Sequence, residues 1–127
     1  MPVRSLSSSV FKWPKPPTVI RALKSWVDGI VRQRSDIIGV AYFGSYAHHR
    51  SGVGSDLDVL MIVEQSERPF WERALEFDTL SLPVPAEVVV YSRDEWQGAA
   101  AETSGFFHAI RRDAVWVYRH PDFTEET

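Results

Sequence analysis

Two apolar runs that enclose a Gly-Ser pair and an Asp-x-Asp motif constrain this chain more than any other feature. The first run, Ile37 to Phe43, leads directly into Gly44-Ser45, and the second, Val59 to Val63, directly follows Asp56-Leu57-Asp58. Short apolar runs that are bounded by turn residues predict buried β-strands. Alternate residues of a strand share one face with Cα atoms about 6.5–7 Å apart, so the two aspartates are expected side by side.

The residue types in these motifs indicate a phosphate and metal site. Two carboxylates on one sheet face repel each other unless a cation lies between them, and their oxygen atoms suit Mg²⁺. Gly44 lets the backbone turn and a phosphate approach, while Ser45 offers a hydroxyl and an N–H where a short helix is predicted to begin. Each motif alone is common, as a plain turn or as solvated acids. Their spacing, ten residues from Ser45 to Asp56, favours a metal-dependent nucleotidyl-transfer site.

This constellation resembles the nucleotidyltransferase superfamily of DNA polymerase β, in particular its small prokaryotic members, the minimal nucleotidyltransferases. The family pattern is Gly-Ser, ten residues, Asp-x-Asp, and later a third carboxylate that opens another strand. The third carboxylate here is Glu87, within Pro85–Tyr91. The segment Phe107–Tyr118 resembles the closing helix and strand of the family, so the resemblance covers roughly residues 18 to 118.

The resemblance implies a role for each matching residue. Asp56, Asp58 and Glu87 would be catalytic and would bind two Mg²⁺ ions, with ATP as the substrate. The nucleotide-binding candidates are Gly44, Ser45, His48, Arg50 and Ser55. Family members commonly carry Arg-Gly where this chain has His48-His49, and the third carboxylate is most often Asp. Structural alternatives without a role in catalysis stay open: Ser55 shapes a turn, His48 is a surface residue, and Glu87 is a solvated acid.

Composition limits the class of protein. A chain of 127 residues is expected to form one domain with a substantial buried core. A net charge of −3 argues against nucleic acid as the main partner, because no basic stripe is present to release counterions. The absence of cysteine excludes disulfides and Cys zinc sites. No apolar run approaches the length of a membrane span, so a cytoplasmic protein is expected.

The pattern of elements predicts an α/β fold, and the resemblance makes its small sheet a mixed one with flanking helices. Thr18 is expected to cap a first helix. The predicted strands are 37–43, 56–63, 87–91 and 115–118. The other predicted helices begin at Ser45, run from Pro69 to about Thr79, start at the capping-box pattern Ser92–Glu95, and run from about Glu102 to Arg112. The expected division is an extended arm (1–17), a nucleotidyltransferase domain (18–118) and a polar tail (119–127).

Aromatic residues are plentiful, with five tryptophans and seven phenylalanines. The predicted core members are Trp26, Phe77 and Phe107. The candidates for a contact between subunits, and so for a homo-oligomer, are Trp13, Trp71 and Trp96.

The expected reaction is transfer of a nucleoside monophosphate, AMP from ATP, to a hydroxyl group. Only 40 residues follow Glu87, so the acceptor is expected to come from a second protein or a second copy. The resemblance implies a small helical HEPN-domain partner in a toxin–antitoxin pair, with AMP moved onto a partner tyrosine. Two alternatives are a non-catalytic module that binds a nucleotide or a toxin, and a dimeric transferase for a small hydroxylated molecule such as an aminoglycoside.

Overall fold

The computed structural model describes residues 13–99 and 105–123. Most of the predicted arm and the end of the predicted tail therefore lie outside the described residues. The elements in chain order are α1 (Pro16–Gln33), β1 (Ile37–Phe43), a first 3₁₀ helix (Gly44–Tyr46), β2 (Leu57–Val63), a second 3₁₀ helix (Phe70–Glu76), β3 (Ala86–Ser92), α2 (Arg93–Gly98), α3 (Gly105–Asp113) and β4 (Val115–Arg119). Within this part of the chain, no helix is both long and apolar enough to cross a membrane.

The four strands form one sheet in the order β3-β2-β1-β4. Strand β1 pairs antiparallel with both β2 and β4, whereas β2 and β3 are parallel. Helices lie on both faces of this sheet, so the predicted α/β fold with a mixed sheet and flanking helices is confirmed.

Alternation along the strands divides the core between the two sheet faces. Leu57, Val59 and Met61 of β2 face α1, whose buried residues are Val19, Leu23 and Val27. The intervening β2 residues Leu60 and Ile62 lie on the opposite face, where they pack with Trp96 of α2 and Ile110 of α3. Because side chains alternate with a period of two, Asp58 belongs to this second face.

Helix α1 begins two residues before the predicted cap. Pro16 and Pro17 occupy its first turn and Lys15 is the N-cap, without a side-chain cap. Proline fits there because the first N–H groups of a helix have no intrahelical partner. Thr18 lies inside the helix and accepts a 3.4 Å hydrogen bond from Arg21, so its predicted capping role was wrong.

The helix predicted from Pro69 to about Thr79 is a shorter 3₁₀ helix. It ends at Glu76, and Phe77 is already extended. Arg73 is its one buried residue, whereas Trp71 and Leu75 are 78 % and 79 % exposed. Most helices in proteins are stabilised by packing of an apolar face, and this segment buries none, so it does not extend into a regular α-helix.

The predicted capping box is present at α2. The Ser92 Oγ accepts from the Glu95 N–H at 3.2 Å, and the Glu95 carboxylate accepts from the Ser92 N–H at 2.9 Å. Glu102, the predicted start of the last helix, lies outside the described residues.

The predictions for the aromatic residues have different outcomes. Trp96 is 1 % exposed in the second core, so its predicted subunit contact was wrong. Phe77 is buried as predicted, while Trp26 and Phe107 are partly buried against the two cores. Trp13 is also partly buried against the first core, and Trp71 is exposed.

Candidate active site

Three strand ends meet at one edge of the sheet and bring the predicted acids together. Strand β1 runs antiparallel to β2, so the end of β1 lies beside the start of β2, and the parallel strand β3 starts at the same edge. The register pairs Phe43 with Asp58, and Asp58 with Glu87. Asp56 lies one residue before β2. We call Asp56, Asp58 and Glu87 the acidic cluster.

The acidic cluster carries negative charge that no described side chain neutralises. Burial raises the pKa of Asp58, and the charges of Glu87 and then Asp56 raise it further. Across residues 13–99 and 105–123, no Lys, Arg or His forms an ion pair with any of the three. A cation would relieve this repulsion.

The carboxylates of the acidic cluster fit a divalent cation whose coordination is completed by a ligand. They do not form a metal site that is closed by protein atoms alone. Among the described residues, no group of three His, Cys, Asp or Glu side chains is arranged to hold a metal ion by itself. Mg²⁺ usually takes one or two carboxylates and completes its shell with water and substrate phosphates. The carboxylate oxygens of the acidic cluster therefore suit Mg²⁺ in the presence of a nucleotide.

Gly44 lies directly against Asp58. A Cβ built on Gly44 would overlap Asp58 Oδ2, and the backbone at Gly44 has a φ of 76°. Glycine is required there for two reasons: the left-handed conformation, and the space that the carboxylate occupies.

The turn after β1 is a single 3₁₀ turn, although a short helix from Ser45 was predicted. The Gly44 carbonyl accepts from the N–H groups of Ala47 and His48, at 3.0 and 3.1 Å. The half-buried Ser45 follows in this turn, and its carbonyl accepts from the Arg50 N–H at 2.9 Å. A turn of three residues carries little of the dipole of a full helix, so any phosphate affinity here must come from local donors.

The loop from residue 47 to residue 56 holds the remaining candidates. His48 Nε2 lies 2.9 Å from Asp113 Oδ2, so its ring is engaged at the end of α3. Arg50 is exposed. Ser55 Oγ accepts from the Gly52 N–H at 2.8 Å and its own N–H donates to the Gly52 carbonyl at 3.0 Å, which is the geometry of a turn-shaping residue.

Sequence reasoning missed two residues near this edge. Asp113 binds His48 from 65 positions away. Phe106 is 57 % exposed on α3, with its ring centroid 6.2 Å from that of Phe43. Neither residue belongs to a recognisable sequence motif, because each contact depends on how α3 packs over the sheet.

Comparison with known proteins agrees with this architecture. The chain is similar to a candidate nucleotidyltransferase from Sulfolobus solfataricus, with 18 % identity, a TM-score of 0.58, and coverage of 86 % of this chain and 92 % of that chain. It is also similar to a chain in a crystal structure of a toxin–antitoxin with AMP-PNP, with 14 % identity, a TM-score of 0.54, and coverage of 77 % and 74 %. At these identities the likeness concerns the fold.

No curated protein sequence matches the chain. The sequence profile of the nucleotidyltransferase domain matches residues 24–109, which include Gly44, Ser45 and the whole acidic cluster. Since this match covers more than half of the chain, the protein belongs to the nucleotidyltransferase domain family.

Proposed function

We propose that this protein is a Mg²⁺-dependent minimal nucleotidyltransferase that moves AMP from ATP to a hydroxyl group of a partner protein. The observation that carries the proposal is the register of Asp58 with Glu87, together with Gly44 against Asp58. This arrangement places a tight turn and unpaired carboxylates at one open edge, within a chain of the nucleotidyltransferase family.

Each residue has a distinct task. Gly44 and Ser45 would receive the triphosphate, Asp56 and Asp58 would hold one Mg²⁺ ion, and Glu87 would bind a second. When bound, the ions would supply neutralisation of the charge on the entering and leaving oxygens of the displacement. Glu87 is exposed and has no ion-pair partner among the described residues, so its carboxylate is available to take a proton.

The transfer balances as a single displacement at the α-phosphorus. The acceptor oxygen forms a bond to that phosphorus while the bond to the oxygen bridging the α- and β-phosphorus breaks. Pyrophosphate leaves, and the proton of the acceptor hydroxyl passes to the Glu87 carboxylate acting as general base. The longer side chain of Glu87, compared with Asp, extends its carboxylate further from β3.

The partner in this proposal is a small helical protein of the HEPN type, paired with this chain as toxin and antitoxin. The structural likeness to a toxin–antitoxin chain crystallised with AMP-PNP supports it. Addition of AMP would place a charged phosphodiester on the partner and block its working surface by charge and bulk.

Binding of Mg²⁺ and ATP gives the first test. ATP with Mg²⁺ should raise the melting temperature by mass action, corresponding to about 2.7 kcal/mol at a ligand concentration 100 times Kd. Asp58→Asn should abolish this rise. Asp28→Asn, which removes an exposed carboxylate from α1, is the matched control and should keep it. An ATP-dependent rise that survives in the double variant Asp56→Asn/Asp58→Asn contradicts the assignment.

A further inference from the structure

Alternate residues of β3 lead from the acidic cluster toward a second feature of the same sheet face. Glu87, Val89 and Tyr91 alternate along this strand, and they pair in register with Asp58, Leu60 and Ile62. They therefore share the second sheet face with Asp58. Glu87 is exposed and Val89 half-buried. Tyr91 lies four residues from Glu87, about 13 Å along an extended strand.

An open cavity of about 330 Å³, which we call the aromatic groove, is lined by Phe70, Tyr91, Glu95 and Phe107. Tyr91 itself is only 5 % exposed. The ring centroids of Phe70 and Phe107 lie 5.0 and 4.6 Å from that of Tyr91. Glu95 is paired with Arg73 at 2.6 Å, so the groove offers ring faces and a neutralised carboxylate.

Apolar side chains are exposed on both elements that wall the groove. On the second 3₁₀ helix Phe70 is 41 % exposed and Trp71 is 78 % exposed, and on α3 Phe106 is 57 % exposed. Exposed apolar patches mark interaction sites, and aromatic rings are enriched in protein contacts.

We propose that the aromatic groove docks an apolar side chain of the partner segment whose hydroxyl receives AMP. This inference rests on the proposed function and assigns the acceptor subsite of the same site. The occupant is a protein segment that presents its hydroxyl at Glu87 and an aromatic or large aliphatic anchor about 13 Å away, which is about four residues of extended chain.

In-line displacement places the acceptor on this side. The entering oxygen must approach the phosphorus opposite the leaving pyrophosphate. Gly44 and Ser45, which receive the phosphates, follow β1 on one side of Asp58, whereas Glu87 and the groove lie along β3 on the other side. The acceptor therefore enters over β3, the strand that also carries Tyr91 of the aromatic groove.

Selection from a random peptide library displayed on phage, against the parent protein with Mg²⁺ and AMP-PNP, tests the groove. Selected peptides should carry Tyr, Ser or Thr and an apolar residue about four positions away. Phe70→Asn should weaken their binding by at least about tenfold, whereas Phe70→Leu should retain it. Leu80→Asn removes an apolar side chain that is 91 % exposed outside the groove and should leave binding unchanged. Melting curves confirm that each variant is folded.

Other outcomes identify other occupants and overturn the proposal. Loss of Mg²⁺–ATP affinity in Phe70→Asn means that the groove holds the nucleobase. A dimer in solution that Phe70→Asn dissociates means that a second copy covers it. Failure to select any peptide whose binding depends on Phe70 also overturns it. If the parent protein still binds ATP in a manner that depends on Asp58, only the assignment of the groove fails. If the parent protein does not bind ATP, the proposed function itself fails.

Discussion

Gly44 and Asp58 are in direct contact, because the carboxylate of Asp58 occupies the space into which a side chain at position 44 would project. The Gly-Ser turn and the Asp-x-Asp strand are therefore one structural unit, although the sequence separates them. A change at the turn moves the carboxylate, and phosphate and metal binding should be lost together.

Gly44→Ala tests this contact. The φ of 76° at position 44 would strain the backbone of an alanine by about 1–2 kcal/mol, and the overlap of its Cβ with Asp58 adds to that cost. We expect lower stability in urea denaturation and loss of ATP binding.

Substitutions at two other glycines separate the effect of backbone strain from the effect of the overlap with Asp58. Gly54 has a φ of 88° with nothing within 4 Å of an added Cβ, so Gly54→Ala should show the backbone strain alone and keep ATP binding. Gly29 lies in α1 with open space around it, and Gly29→Ala should stabilise the protein by about 0.5–1 kcal/mol. Equal effects of Gly44→Ala and Gly54→Ala on ATP binding would refute the contact.

Asp58 should lower the stability of the nucleotide-free protein at neutral pH. Burial and the charges of Glu87 and Asp56 raise its pKa, so the folded protein binds this proton more tightly than the unfolded chain. The resulting stability is present below the ordinary pKa and is lost as pH rises through the raised value. Asp58→Asn should therefore raise the melting temperature by about 2 °C at pH 7, and the gain should vanish near pH 3. A constant gain across this range would show that charge is not its cause.

Asp113 should behave in the opposite way. Arg112, and to a smaller extent His48, lower the pKa of its carboxyl to about 2. Its contribution to stability is therefore present above the ordinary pKa and is lost as pH falls from about 4 toward 2. Asp113→Asn should lower the melting temperature at pH 7 and have little effect at pH 2. If the variant melts like the parent at both pH values, the contacts of Asp113 with Arg112 and His48 do not stabilise the fold.

Glu95 should be more important for stability than a surface carboxylate. It binds Arg73, whose side chain is 8 % exposed and also donates to the Val90 carbonyl at 3.2 Å, and it forms the capping box of α2. Glu95→Ala leaves this guanidinium without its carboxylate and should cost about 2 kcal/mol in denaturant unfolding. Glu72→Ala, which removes an exposed 3.9 Å ion pair with Arg68, is the control and should cost less than about 0.5 kcal/mol. Similar costs would refute a structural role for the Arg73–Glu95 pair.

The features that could be predicted from the sequence are those that local residue patterns determine. The apolar runs of β1 and β2, the glycine at position 44 and the capping box at Ser92 each depend on residues close together in the chain. Strand β2 begins one residue later than predicted, since Asp56 lies before the ladder.

Long-range packing controls what the sequence did not predict. The family resemblance implied that Asp58 and Glu87 lie together, but their pairing depends on a parallel register between strands, which periodicity does not contain. Burial of Trp96 and of Arg73 depends on how α2 and the second 3₁₀ helix pack on β3. The engagement of His48 by Asp113 is likewise a tertiary contact.

The most direct test of the central claim follows the two ends of the triphosphate. The protein is incubated with Mg²⁺ and a cell lysate that supplies acceptors, using ATP labelled at the α- or the γ-phosphorus. We predict label from the α-position on a protein band, none from the γ-position, and release of pyrophosphate. Asp58→Asn should abolish this transfer, and Glu87→Gln should slow it by about 10²-fold or more while ATP still binds. Transfer of the γ-label, α-labelling that survives both substitutions, or no transfer at all would contradict the account.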